Sequence, residues 1–202
     1  MTLDKYRSLA DRVLNPFVTL AAKLGLTPNG VSVLAIVVAA AAAGAFYLGG
    51  EQPIFYGVGA LLVFLNGGLD LIDGALARRL EMASEAGDLL DHVLDRYADI
   101  IILVGLAAGI GRYDIGLAAV TGVLMTSYLG TQAQAVGLDR VYGGLLGRAD
   151  RLVLISIVGA IAVVVTEPIQ GFTVVGWLLI VFAVVGHLTA LQRFYYAMGD
   201  LR

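Results

Sequence analysis

The chain has 202 residues, 59% of them hydrophobic and 14% charged, with a mean hydropathy of +0.87 and a formal net charge of −3. Soluble domains carry roughly 25% charged residues, so this composition argues against a water-soluble globule and for a polytopic membrane protein. The mild negative charge offers nucleic acid no basic surface, and the absence of cysteine excludes disulfides and thiolate metal ligands.

The N-terminal stretch "MTLDKYRSLADRVLNPF" lacks the apolar core and small-residue cleavage site of a signal peptide. Its Leu3, Tyr6, Leu9, Ala10, Val13, Leu14 and Phe17 recur at helical spacing among charged residues. This predicts an amphipathic helix within 1–24, either lying at the membrane surface or packed on the bundle from the aqueous side.

A bilayer core needs about 20 apolar residues per helix. Six stretches qualify, at about 31–49, 53–76, 88–110, 114–136, 152–166 and 171–195, the fifth being short. Gly, Pro and charge clusters such as "GGEQP", "RRLEMASEAG", "GRYD" and "TEPIQG" separate them. There is no internal repeat. The expectation is one all-α membrane domain over 1–202, a six-helix bundle from residue 25 preceded by a juxtamembrane surface helix. In this arrangement twelve basic residues fall on one side and Arg112 alone on the other. The positive-inside rule then puts both termini in the cytoplasm of a cell-membrane protein. The run "AAAAAGAF" in the first span predicts a close helix contact through small residues.

Carboxylates interrupt this apolar pattern between residues 69 and 99. Ionisable side chains inside a membrane helix are costly and face a cavity or a partner. At about 100° per residue, Asp70 and Asp73 share one helix face, which Gly74 and Ala77 continue. On the next helix Asp88, Asp91, Asp95 and Asp99 fall within about 80° of one another. A short loop makes the two helices antiparallel neighbours, so the two acidic faces can meet near the cytoplasmic end. Carboxylates brought together repel unless compensated. A hard-oxygen donor set suits Mg²⁺, Mn²⁺ or Ca²⁺ rather than zinc, and four carboxylates are enough for two ions that clamp a phosphoryl group. The alternative is an ion-pair rim, with Gly74 a packing contact. Arg78, just off the face, has the guanidinium fork for a phosphate.

The exact spacing adds a resemblance. Residues 70–95 read D70-x2-D73-G74-x2-A77-R78-x8-G87-x3-D91-x3-D95, which is similar at every fixed position to the signature of the CDP-alcohol phosphotransferase family. The "GLTPNGVS" entry to the first span, Gly25 to Ser32, also resembles that family. The resemblance implies six transmembrane helices, a surface helix before the first, and transfer of a substituted phosphate from a CDP-linked lipid to a polar alcohol with release of CMP. It implies that Asp70, Asp73 and Asp91 ligate two divalent cations, Mg²⁺ or Mn²⁺, with Asp95 contacting the metal site and acting as general base. Asp70, Gly74, Ala77, Arg78 and Gly87 would shape the donor nucleotide pocket, with Thr27 and Asn29 closing it. The partners implied are a CDP-lipid, an alcohol acceptor and membrane lipids. A homodimer is common in the family, and the Ala/Gly-rich faces permit one.

Outside the signature, Asp88 is expected to help cap the third span and Asp99 to pair with Arg96 or Arg151. His92 points about 100° from Asp91, as a rim residue, and His187 is expected to bond between helices.

The acceptor is expected to be read by residues 126–152. That segment resembles its counterpart in phosphatidylinositol-phosphate synthases and their archaeal archaetidyl equivalents, where Ser-Tyr-x-Lys-x-Arg is followed by an Arg pair. Ser127, Tyr128, Arg148 and Arg151 match, whereas Gly130 and Gln132 replace the Lys and the first Arg. Arg148 and Arg151 are expected across the cavity from the Asp70/Asp73 face, binding an acceptor phosphate, with Ser127, Thr131, Gln132 and Gln134 near its hydroxyls. The two arginines are otherwise anchors to lipid headgroups. Inositol phosphate is the preferred acceptor, ahead of glycerol phosphate, serine or free inositol. A different class, a cation transporter or metal-binding scaffold, also uses intramembrane carboxylates. A transport path would spread acids along several helices, whereas here, apart from Asp99, they cluster at one end.

Overall fold

A computed structural model describes residues 7–138 and 146–201, with side chains from residue 13. Leu3 and Tyr6, the side chains of Leu9 and Ala10, and the loop and terminal arginines Arg140 and Arg202 lie outside the described residues. The described chain forms seven α-helices: α1 (Arg7–Lys23), α2 (Pro28–Gly49), α3 (Ile54–Arg79), α4 (Glu85–Gly109), α5 (Tyr113–Ala135), α6 (Arg148–Ala162) and α7 (Val174–Asp200).

Local chemistry sets the helix ends. Gly25, at φ +71°, takes the left-handed conformation that closes α1, and the Leu26 N–H returns to the Ala21 carbonyl at 3.0 Å. Thr27 then caps α2, its Oγ1 accepting from the Gly30 N–H at 3.2 Å, with Pro28 in the first helical turn. Ser84, not Asp88, caps α4, its Oγ accepting from the Gly87 N–H at 3.1 Å. Asp88 instead sits in the first turn, where a negative charge complements the helix dipole. At α6, the Asp150 carboxylate accepts from the Gly147 N–H at 3.0 Å. That anchorage starts the helix at Arg148, four residues before the predicted span. The last helix runs on to Asp200, so Tyr195 and Tyr196 are helical and exposed.

Three helices, α2, α3 and α7, are long and apolar enough to cross a membrane. The other three predicted spans fall short by that measure: α4 carries the acidic residues, α5 turns polar from Ser127 to Gln134, and α6 has only 15 residues. The chain is an integral membrane protein whose charged helices pack among apolar ones.

α2 packs against α3 and α4, α3 against α6, α4 against α5, and α5 against α7. Phe46, Val63, Ile102, Leu106, Leu179 and Phe182 fill the shared core. The alanine-rich run does make a close contact: a Cβ on Gly105 of α4 would stand 2.5 Å from the Ala43 Cα of α2. Of the two alternatives for the N-terminal helix, packing on the bundle is observed. Val18 and Ala21 of α1 pack on Val31 and Leu76, and Arg79 donates to Thr19 Oγ1 at 2.6 Å, while Phe17 and Leu20 remain exposed on the other side.

Candidate active site

Rather than packing directly on each other as expected, α3 and α4 each pack on α2, and their acidic faces meet across a cleft. One carboxylate oxygen from each of Asp70, Asp91 and Asp95 lies within 4.8 Å of the others. Asp73, one turn beyond Asp70, is buried, and its Oδ2 accepts a 2.6 Å hydrogen bond from Ser32 Oγ of α2. All four aspartates line one small cleft between α2, α3, α4 and α6, together with Asn66 and Arg148. The Asn66 amide donates to the Ala35 carbonyl at 2.7 Å and ties the floor of the cleft to α2.

The compensation that these carboxylates demand comes from α6. Arg148 Nη1 lies 2.6 Å from Asp70 Oδ1, and Nη2 lies 2.7 Å from Asp95 Oδ1. Its Nε is buried without a hydrogen-bond partner, 3.8 Å from Asp99 Oδ1. One turn on, Arg151 donates to Asp99 Oδ2 at 2.7 Å. Arg96 reaches the same oxygen at 3.1 Å and also donates to Ser127 Oγ on α5 at 2.5 Å. Asp99 therefore takes both of the partners expected of it. The placement of the arginine pair differs from expectation: Arg148 lies among the carboxylates, not across the cavity from them. Arg151 is only 5% exposed, held against Asp99 beneath the cleft. An arginine entering a helix beside buried acids lowers its desolvation cost by pairing with them, and α6 offers no competing anion nearby except the capping Asp150.

The nucleotide-side residues are partly assembled. A Cβ on Gly87 would meet Asn29 Oδ1 at 3.5 Å, so Asn29 stands against the first turn of α4. On Gly74 a Cβ would find only Arg78 Nη1, at 3.5 Å, which leaves that face of α3 open beside the half-buried Ala77. Thr27 spends its hydroxyl on the α2 cap. Of the acceptor-side residues, Ser127 is bonded to Arg96, Thr131 bonds back to the Tyr128 carbonyl at 3.0 Å, Gln132 and Gln134 are exposed and Gly130 is buried. His92 sits at the rim with Nδ1 2.8 Å from the Asp88 carbonyl oxygen, and His187 bridges α7 to Thr121 of α5 at 3.4 Å.

Sequence reasoning passed over the Ser32 bond to Asp73, the reach of Arg96 to Ser127, and Arg193. Arg193, buried in α7, donates to the Thr126 carbonyl at 2.5 Å. The signal available for it was a lone cation inside an otherwise apolar span.

The chain has relatives of known kind. A family model described as CDP-alcohol phosphatidyltransferase matches residues 25–189. The archaetidylinositol phosphate synthase of Methanothermobacter thermautotrophicus is 30% identical, covering 99% of this chain and 96% of its own. The phosphatidylinositol phosphate synthase of Streptomyces avermitilis is 33% identical over 95% of this chain and 80% of its own. The crystal structure of Mycobacterium tuberculosis phosphatidylinositol phosphate synthase with CDP-DAG bound superposes with a TM-score of 0.78 at 25% identity, covering 92% of this chain and 94% of that one. A second crystal structure of that enzyme, in complex with manganese and citrate, also gives 0.78 at 25% identity, over 91% of this chain and 88% of that one.

Proposed function

Since the chain belongs to the CDP-alcohol phosphatidyltransferase family, and is thus a membrane-bound transferase of phospholipid synthesis, we propose that it moves a phosphatidyl or archaetidyl group from a CDP-lipid to inositol phosphate, releasing CMP. The observation that carries this is the meeting of Asp70, Asp91 and Asp95 within 4.8 Å at the family's signature spacing. The donor set fits hard divalent cations, being all oxygen and partly buried. We assign Asp70, Asp73, Asp91 and Asp95 to two such ions, Mg²⁺ or Mn²⁺. When bound, these ions supply charge stabilisation to the diphosphate and the departing CMP.

The remaining steps belong to side chains. Asn29 and Gly87 form one wall of the nucleotide pocket, and Gly74 and Ala77 leave backbone within reach of the ligand. Arg78 offers its guanidinium to phosphate, and Thr27 fixes the turn that carries Asn29. The acceptor hydroxyl gives its proton to the Asp95 carboxylate as its oxygen bonds to the lipid-side phosphorus. The bond from that phosphorus to the bridging oxygen breaks, and CMP carries the electron pair away. Arg148 is the cation closest to Asp70 and Asp95, and we assign it to the acceptor phosphate, with Ser127 and Gln132 toward the hydroxyls. Arg151 supports it through Asp99. Glycerol phosphate is the next acceptor in order, and Gly130 and Gln132, in place of two cations, keep serine and free inositol in the test.

We place the protein in the cytoplasmic membrane as a single six-span domain, with α4, α5 and α6 crossing among the apolar helices. The described cations Lys23, Arg78, Arg79, Arg96, Arg148, Arg151 and Arg193 lie toward one end and Arg112 toward the other, so the site faces the cytoplasm by the positive-inside rule. A homodimer through the exposed apolar faces is compatible with this arrangement.

The test is CMP release by purified protein, supplied with diacyl or diether CDP-lipid, Mg²⁺ or Mn²⁺ and a panel of alcohols. Turnover with inositol phosphate that stops in excess chelator is expected. Turnover of unphosphorylated alcohols alone would overturn the acceptor, and full activity in chelator would overturn the metal assignment.

A further inference from the structure

Arg148 uses its two terminal nitrogens on two of the three carboxylates that come within metal-binding distance of one another. Only Asp91 of that trio has no ion pair with it at comparable range among the described residues. A guanidinium that donates to an oxygen occupies lone-pair directions that a divalent cation would use, and it repels that cation at short range. The charge count sharpens the conflict. Asp70, Asp73, Asp91, Asp95 and Asp99 stand against Arg96, Arg148 and Arg151, which leaves two negative charges, the equivalent of one divalent ion. Arg151 is held on Asp99, deeper in the bundle, and Arg96 is held on Asp99 and Ser127, reaching Asp95 of the trio only at 3.9 Å. Arg148 is therefore the cation in the way.

We infer that Arg148 is a resident counter-cation that competes with divalent metal for Asp70 and Asp95, so that metal loading turns its guanidinium away from them. The inference rests on the metal assignment above. Two features make Arg148 the side chain able to move. It stands at the first residue of α6, and its Nε has no hydrogen bond to break. Arg151, one turn deeper and 5% exposed, keeps Asp99 neutralised while Arg148 swings. The consequence is an order of events: cation first, then acceptor phosphate on the released guanidinium. An acceptor arriving before the metal finds Arg148 already bound to carboxylates.

The test needs no turnover. Mn²⁺ binding to purified protein without substrate is followed by the paramagnetic resonance of free Mn²⁺, for wild type, Arg148→Gln, Arg148→Lys, Asp70→Asn and Asp91→Asn. Loss of a charge-assisted contact that opposes binding is expected to tighten Mn²⁺ in Arg148→Gln by about 10- to 150-fold. Arg148→Lys, which keeps the charge but not the fork, is expected to tighten it less. Asp70→Asn and Asp91→Asn are expected to weaken it. Unchanged or weaker Mn²⁺ binding in both Arg148 variants, with the Asp variants still impaired, would overturn the competition and leave the metal site standing. Unchanged binding in both Asp variants would overturn the metal site itself. Should Arg148→Gln be recoverable only in Mn²⁺, that also supports the exchange, and Arg148→Lys then carries the affinity comparison.

Discussion

Two arginine–aspartate groups stand at opposite ends of this bundle, and they share almost nothing beyond residue type. At the α4–α5 turn, Arg112 clasps Asp114 through Nε and Nη2 at 2.9 and 2.8 Å, one cation fully matched by one anion, with Arg112 partly and Asp114 largely exposed. The guanidinium also lies 5.1 Å from the Phe172 ring centroid, which fastens the turn to the segment before α7. At the other end, Arg148 is divided between Asp70 and Asp95 and approaches Asp99, and its side chain is 14% exposed. A closed pair in water is complete and has no electrostatic demand left. A recessed group with more carboxylates than cations is incomplete, and the shortfall is what a ligand can fill. Stoichiometry and burial, not the choice of residues, separate a clip from a working site.

The comparison breaks first at Asp95. If that carboxylate takes the acceptor proton, Asp95→Asn is expected to lower the transfer rate by about 10²–10⁴-fold while CDP-lipid binding persists. A variant keeping a tenth of the wild-type rate would move the base elsewhere. Asp99→Asn comes next. It leaves the buried Arg151 without its anion, and losing one partner of a buried pair costs about 3–5 kcal/mol. The expected readout is a large drop in thermal midpoint in detergent, with metal affinity much less affected. An unchanged midpoint would mean that Asp99 belongs to the reaction and not to the scaffold. The smallest effect is at the exposed clip: Arg112→Ala is expected to leave both activity and thermal midpoint unchanged, because surface substitutions away from special features rarely matter. A measurable loss there would show the Phe172 contact holding α7 in place.

The helical period was enough to put Asp70 with Asp73 and Asp91 with Asp95, since each pair is a turn apart on its own helix. The short connection between α3 and α4 then left few ways to arrange the two faces. What the period could not carry is contact between distant segments. Ser32 reaches Asp73 across 41 residues and Arg151 reaches Asp99 across 52. Nothing in the local pattern around Arg148 says that its partners lie on α3 and α4, so an arginine expected on the acceptor wall turns out to sit in the acidic cluster. The cap of α4 failed for a smaller reason: Asp88 and Ser84 are both good cap residues, and only backbone conformation decides between them. Composition alone singles out α2, α3 and α7 as spans and speaks less plainly where charge and apolarity mix, as in α4.

Where α5 packs on α7, the two backbones come close at Gly122 and Gly186. A Cβ added to Gly186 would come within 2.7 Å of the Gly122 carbonyl carbon, and one added to Gly122 would meet the Ala183 carbonyl oxygen at 3.1 Å. Thr126 Oγ1 takes advantage of the proximity by donating to the Gly186 carbonyl at 2.8 Å. A single methyl group on Gly186 would force the backbones apart and stretch the Thr126 bond, so bulk there requires a coordinated shift of both helices.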